Sequence, residues 1–495
     1  MNAAAKSLER RAMSLGTAFA LDYGLQFLLP VVLTRALDPQ SFGEYRLLWL
    51  GISTLLMITP MCMPQTLYYF LPRSDSDKQR LYLNQCLIFM AFAGLVAAWA
   101  LSPFDPFLPR SMQGLVSHNG AAVMLIAGLW IFAWVLDVLP TVDERVDWQA
   151  RLIVSMSALR AALLSAVAFV TRDLGAVLWA LAALTALKAA ILLYYVRRHH
   201  GLRGPWLARK PFAEQVKHAA PFGLSGMLHG MRAQGDQWVA AALFSVAQFA
   251  SFSVATVLGP VVQMCRQSVN HVFLPSMSRM HSSGDVRSML ALNSRANAMV
   301  ALLVYPLLAF AFVFAVPLIT LVYTAHYVEA VPVLRIYVFG LLMLVVEIQS
   351  VLFLMKQGPF AAWVNALVLV LAIPMSYFGA ITWGLPGAAI GSVVALYAER
   401  ALSLSRLATL SGTPFLKLQD WATLLGILAA AALSAAIAGL AIGYTHMPPF
   451  AQLAGGAAIV AITYPAALFL MGQRQSLTSF IASMRHAGPE PAAIK

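Results

Sequence analysis

Few ionisable side chains fall inside the apolar runs of this 495-residue chain, and those few carry the chemistry. In "APFGLSGMLHGMRAQGDQWVAAALF", residues 220–244, Arg232 and Asp236 are four apart and share one helical face, with His229 on the side of Arg232. A charge at mid-membrane costs roughly 2.5–3.5 kcal/mol on the most forgiving insertion scale. Arg266 and Asn270 repeat the four-residue spacing in the next run. The planar fork of arginine takes two oxygens of an anion at once, and its charge survives burial. Asp22, near the middle of the first run with Gln26 one turn on, is a carboxylate without an evident partner, which suits a proton or sodium site. Glu347 and Arg160 are further candidates, each also able to form an interhelical pair, and Arg232 and Asp236 are able to pair with one another along their own helix. Lys188 is expected to reach along its own stem to the membrane surface.

The elements that position these groups are transmembrane helices. The chain is 60% hydrophobic and 11% charged, with mean hydropathy +0.75, whereas soluble domains carry about 25% charged residues. The apolar runs are continuous rather than alternating, which excludes a β-barrel. They predict an all-α polytopic membrane protein of about fourteen spans: 13–34, 47–70, 82–102, 121–140, 152–170, 176–196, 219–244, 252–274, 297–322, 333–355, 360–382, 386–404, 421–443 and 450–471. The run behind Ala18-Phe19-Ala20 is too short for a cleaved signal, so the first span is expected to stay. Cys62, Cys86 and Cys265 lie in apolar runs without metal spacing, and no metal is expected.

With the N-terminus inside, 24 of the 33 Lys and Arg fall in inner segments and five in outer ones. Segregation of this kind accounts for the net charge of +13 without nucleic acid and places both termini in the cytoplasm. No segment between spans is long enough for a catalytic or nucleotide-binding domain.

The chain also repeats itself. "MCMPQTLYYFLP" (61–72) matches "MCRQSVNHVFLP" (264–275) at an offset of 203, "QSFGEY" (40–45) resembles "AQFASF" (247–252), and "LGAVLWAL" (174–181) resembles "PGAAIGSV" (386–393) at an offset of 212. Their shared order predicts two parallel six-helix lobes, 1–211 and 212–410, followed by two further helices and a tail in 411–495. Parallel repeats with a cavity between them are a transporter architecture. Pro60, Pro64, Pro260, Pro306 and Pro317 are expected to break spans two, eight and nine. The repeat supplies a control as well: Met63 and Leu67 stand in the first half where Arg266 and Asn270 stand in the second, so folding alone does not demand the polar pair.

The loop after the first span, "LLPVVLTRALDPQSFGEYRLLW", resembles the polysaccharide-flippase branch of the multidrug/oligosaccharidyl-lipid/polysaccharide exporter superfamily. Leu33, Thr34, Arg35, Phe42, Gly43 and Tyr45 carry the match, with Asp236, "FLPSMSRM" and "GLPGAAIGS" in the second half. The resemblance implies O-antigen, lipopolysaccharide or exopolysaccharide flippases. These move an undecaprenyl-diphosphate-linked oligosaccharide across the bacterial inner membrane by alternating access, in some systems beside a polysaccharide polymerase and a chain-length regulator. It implies no bound cofactor and a proton or sodium gradient as the drive. Arg232, Arg266, Asn270, His229 and Arg160 would then hold substrate, and Asp22, Asp236 and Glu347 would couple ions. Two other readings stay open: a multidrug exporter of the same superfamily, whose cationic substrates an arginine-rich cavity repels, and a membrane enzyme of polysaccharide assembly.

Overall fold

The computed structural model describes residues 2–201, 204–443 and 447–472, leaving aside the side chains of residues 1–13, His229 and His271. The described residues are helical, with no strand among them. Ten segments are long and apolar enough to cross a membrane. One of them, Gly358–Ser411, is two helices joined at Gly384, whose φ of 66° breaks the rod. Pro39–Ile58, Arg209–Leu243 and Ala330–Leu344 are the remaining rods, so the expected fourteen are present.

In chain order they are α1 (Asn2–Ala36), α2 (Pro39–Ile58), α3 (Ser76–Ala100), α4 (Arg110–Ala133), α5 (Val146–Thr171), α6 (Leu174–His199) and α7 (Arg209–Leu243). Then follow α8, in two pieces (Val246–Ala255 and Leu258–Ser282), α9 (Val286–Val313) and α10 (Ala330–Leu344). Gly358–Ser411 supplies α11 and α12, before and after Gly384. α13 (Trp421–Gly443) and α14 (Pro449–Leu470) complete the set.

Four of the twenty acidic residues start helices of this set. Asp38 caps α2 by accepting the Gln40 and Ser41 N–H groups at 2.9 and 3.1 Å, with Pro39 in the first turn. Asp173, Asp285 and Asp420 cap α6, α9 and α13 in the same way. A side-chain acceptor there satisfies amide groups that a helix start leaves open.

The helices form two compact units, residues 1–250 and 251–495. In the first, α1 packs along α5, α4 on α3 and α6, and α2 on α7. Gly43 of α2 lies against the Val246 backbone so closely that a methyl group would overlap its carbonyl. α7, which opens the second lobe in the repeat, thus packs within the first compact unit. In the second unit, α9 packs on α8, α10 and α13, and α13 on α14. α11 and α12 meet at Gly379, Gly387 and Gly391, where any side chain would strike facing backbone. Close packing is therefore the role of the Gly387–Gly391 spacing.

Several rods are discontinuous. α2 ends at a break where Met61 and Cys62 adopt φ of 47° and 57°, between Pro60 and Pro64. α4 passes into a short 3-10 segment, Trp134–Asp137, and α10 breaks between Leu344 and Gln349. α8 is interrupted at Thr256 and Val257, just before Pro260. Pro306, by contrast, sits inside an unbroken α9, and the interruption of span nine falls at Phe314, ahead of Pro317. A proline removes one donor and crowds one carbonyl; neighbouring helices can absorb both.

Candidate functional site

In the first unit the charged groups gather where α1 meets α5. Asp22 accepts a hydrogen bond from Gln26 Nε2 at 2.7 Å and another from the Ser157 hydroxyl of α5. Arg160 Nη2 lies 3.8 Å from Asp22 Oδ1, and both side chains are largely buried. The expectation of a carboxylate without a partner is corrected here: helix pitch puts Gln26 beside Asp22, but Ser157 and Arg160 arrive only through tertiary packing. Arg160 also stands over the Trp130 ring of α4, at 5.8 Å.

Beside this cluster is a cavity of about 260 Å³. Its polar lining is Gln26, Arg46, Arg160, Gln234 and Gln237, with the Trp49 indole as one wall. Gln234 is fixed by α2, accepting from Thr54 Oγ1 at 2.5 Å and donating to Ser53 Oγ at 3.0 Å. Trp238 Nε1 donates to the same Thr54 hydroxyl at 2.9 Å. Amides, guanidinium groups and an indole face are the side chains that bind hydroxyl-rich and anionic groups, through bidentate hydrogen bonds and stacking.

On α7, Arg232 is partly buried and Asp236 is buried, its Oδ1 accepting the Gln237 N–H at 2.8 Å. The side chain of His229 lies outside the described residues. Arg232 belongs to the first compact unit and Arg266 to the second.

The second unit builds its polar cluster around the break in α10. Arg266 of α8 forms an ion pair with Glu347, whose side chain is 6% exposed. Glu347 Oε1 accepts the Ser350 N–H and hydroxyl at 3.0 and 3.2 Å, which caps the short helix Gln349–Leu354. Asn270, one turn beyond Arg266, donates to Ser350 Oγ at 2.8 Å. The backbone freed by the break is satisfied from α9: Asn297 accepts the Glu347 N–H at 3.1 Å, and Asn293 donates to the Glu347 carbonyl at 2.9 Å. Arg266, Asn270 and Glu347 are thus one constellation. A broken membrane helix persists only where such partners replace the lost intrahelical bonds.

Two ion pairs, one of them buried, lie beyond the candidates read from the sequence. Glu399 and Arg400, 1% and 4% exposed at the side chain, pair at 3.1 Å, and Gln349 donates to Glu399. Arg400 is one of the cations counted at the inner face, so that count is corrected by one. Lys188, expected at the membrane surface, instead pairs at 2.8 Å with Asp137 at the break of α4. The signal was available in the repeat: the offset of 212 that aligns α6 with α12 carries Lys188 onto Arg400. Each unit therefore sets a cation of its last repeat helix in an ion pair, half-buried for Lys188 and buried for Arg400.

The family model described as polysaccharide biosynthesis protein matches residues 32–332, more than half of the chain. The chain belongs to that family. Its matched stretch contains the Leu33-Thr34-Arg35 and Phe42-Gly43-x-Tyr45 residues that carried the resemblance. Among solved structures, the lipid II flippase MurJ in an inward closed conformation is similar over 93% of this chain and 99% of its own, with TM-score 0.72 and 13% identity. An inward-facing multidrug resistance MATE family transporter of the MOP superfamily covers 79% of this chain and 95% of its own, with TM-score 0.57 and 14% identity. A variant of the Vibrio cholerae MATE transporter VcmN covers 83% and 98%, with TM-score 0.55 and 15% identity. No curated protein sequence matches the chain. The chain is thus a multi-pass membrane protein of that family, with the fold of these structures.

Proposed function

We propose that this protein is a flippase that moves an undecaprenyl-diphosphate-linked oligosaccharide across the bacterial inner membrane for O-antigen or exopolysaccharide assembly. The observation that carries the reading is the lining of the first-unit cavity, where two arginines and three glutamines converge beside an indole within apolar helices. A lipid tail can stay in the bilayer, whereas a diphosphate and its sugars need polar surface across about 30 Å of hydrocarbon. The matched family and the TM-score of 0.72 to a lipid II flippase support the same assignment. A multidrug exporter is the weaker reading, since guanidinium groups repel cationic drugs.

In this proposal Arg160, Arg232 and Arg266 are each contacts for the diphosphate in the course of transport, and Asn270 and His229 are contacts for phosphate or sugar. Asp22, Asp236 and Glu347 neutralise these arginines when cargo is absent and exchange protons or sodium ions when it is present. The drive is an ion gradient, and the protein performs no covalent chemistry. It works in the inner membrane, with a polymerase and a chain-length regulator acting on the delivered glycan.

The test is binding of a polyprenyl-diphosphate-linked oligosaccharide to purified Arg232→Ala and Arg266→Ala variants, with export measured in cells. Both variants should stay in the membrane, bind the lipid at least tenfold more weakly and stop export, and lysine at either position should restore part of it. Parent-like binding and transport by both alanine variants would refute the assignment.

A further inference from the structure

A second cavity, about 1410 Å³, lies wholly within the second unit, where α9 and α13 begin and α12 has just ended. The positive-inside count puts this end on the cytoplasmic side. Arg287, Ala291, Arg295, Ala298 and Leu302 follow one another at four- or three-residue steps on α9 and form a stripe down the middle of the face it turns to the cavity, with Leu290, Ser294 and Met299 at its sides. The stripe is graded. Its two arginines are exposed at the outer end, and Ala298 and Leu302 continue inward for about 10 Å beyond Arg295.

Lys417, in the segment before α13, adds a third exposed cation across the opening. Trp421, at the start of α13, presents an indole that also lines the cavity, and its buried Nε1–H has no hydrogen-bond partner among the described residues. Asp420 also lines the cavity, so its charge stands against three cations, and its oxygens and those of Asp285 are turned to helix caps. Asp420 accepts the Thr423 N–H and hydroxyl at 3.0 and 2.6 Å, and Asp285 accepts the Ser288 N–H at 3.0 Å.

We propose that this groove binds an anionic diacyl phospholipid. Its phosphate sits among Arg287, Arg295 and Lys417, the Trp421 N–H donates to a phosphate or ester oxygen, and one acyl chain runs inward along Ala298 and Leu302. The cation cluster selects the charge of the occupant, and the inward apolar grading selects a lipid over a free anion. The chain's own residues 473–495 are a poor occupant, because they set Arg474, Arg485 and Lys495 against Glu490 alone and so carry the wrong sign.

The experiment uses the full chain reconstituted in phosphatidylcholine vesicles containing a minority of spin-labelled phosphatidylglycerol. The parent should hold the phosphatidylglycerol in preference to labelled phosphatidylcholine. Preference should fall about fivefold for each of Arg287→Gln, Arg295→Gln and Lys417→Gln. Lysine at 287 and 295 should retain it, and Ala298→Trp, which fills the groove and leaves every charge, should weaken it. Equal retention of the two lipids by the parent, or unchanged preference in the triple glutamine variant, overturns the proposal. So does displacement of the labelled lipid by soluble glycerol phosphate, which would mark a plain anion site. Displacement by a polyprenyl diphosphate at lower concentration overturns it too, since the groove would then belong to the transported cargo.

Discussion

Glu347→Gln removes the charge that faces Arg266 and leaves an oxygen for Ser350 to bond, so it isolates the ion pair from the helix cap. Both partners are largely buried, at 6% and 14% side-chain exposure. Removing one member of such a pair strands the other in low dielectric and costs about 3–5 kcal/mol. For a unit of this size that lowers the thermal midpoint on the order of 10 °C. Adding Arg266→Met installs the residue found at the equivalent position, Met63, and removes the stranded charge. The double variant should recover at least half of the lost midpoint, since an ion pair replaced by neutral groups is often no less stable. Transport should be absent in the double variant even so, because the diphosphate has lost the Arg266 guanidinium. The assay is the unfolding midpoint of each protein in detergent, paired with polysaccharide export from cells. An unchanged midpoint in Glu347→Gln would show that the pair is solvated in the working protein. A double variant that regains its midpoint and exports at the parent rate would show that Arg266 is structural.

Asp22→Asn keeps one acceptor oxygen, enough for the hydrogen bond from Ser157 or from Gln26 but not both, loses the charge opposite Arg160, and should abolish gradient-driven transport with the protein still folded; transport at the parent rate, equally sensitive to collapsing the gradient, refutes the coupling role. Gly43→Ala drives a methyl group into the Val246 carbonyl, and should lose about 1–3 kcal/mol, read as reduced folded yield from membranes. The hydrogen bonds from the Ser288 side chain and backbone hold the Asp285 carboxyl below the usual range. A carboxyl depressed on folding stabilises above its unfolded value of about 4 and ceases to as pH falls below it. The protection of amides in the first turn of α9, taken relative to the unstructured exchange rate at each pH, should therefore fall on acidification below that value, and Asp285→Asn should flatten the response. Reporter fusions after residues 75, 112, 205 and 485 should read inside, outside, inside and inside; an outer reading after 485 sinks the even span count.

The sequence determined what depends on solvation and on neighbours along the chain. Continuous apolar runs leave helices as the only way to satisfy a backbone in lipid, so fourteen rods were legible without any tertiary contact. Caps were legible too, because Asp38-Pro39 carries both a side-chain acceptor and a fixed φ within two residues. The same holds for the family signature around Leu33–Tyr45, and for pairs such as Asp22 and Gln26 that helix pitch alone brings together.

Partnership across helices was decided only by the tertiary structure. Nothing local says that Asp22 meets Ser157 and Arg160, that Arg266 meets Glu347, or that Lys188 turns inward to Asp137. Glu399 and Arg400 read as the charged end of a span, yet packing buries both. Pro306 read as a break, yet α9 continues through it. The physical reason is common to all of these. In a membrane each stranded charge or freed carbonyl must find a partner, and which helix supplies it depends on the order and rotation of packed rods, which hydropathy does not encode.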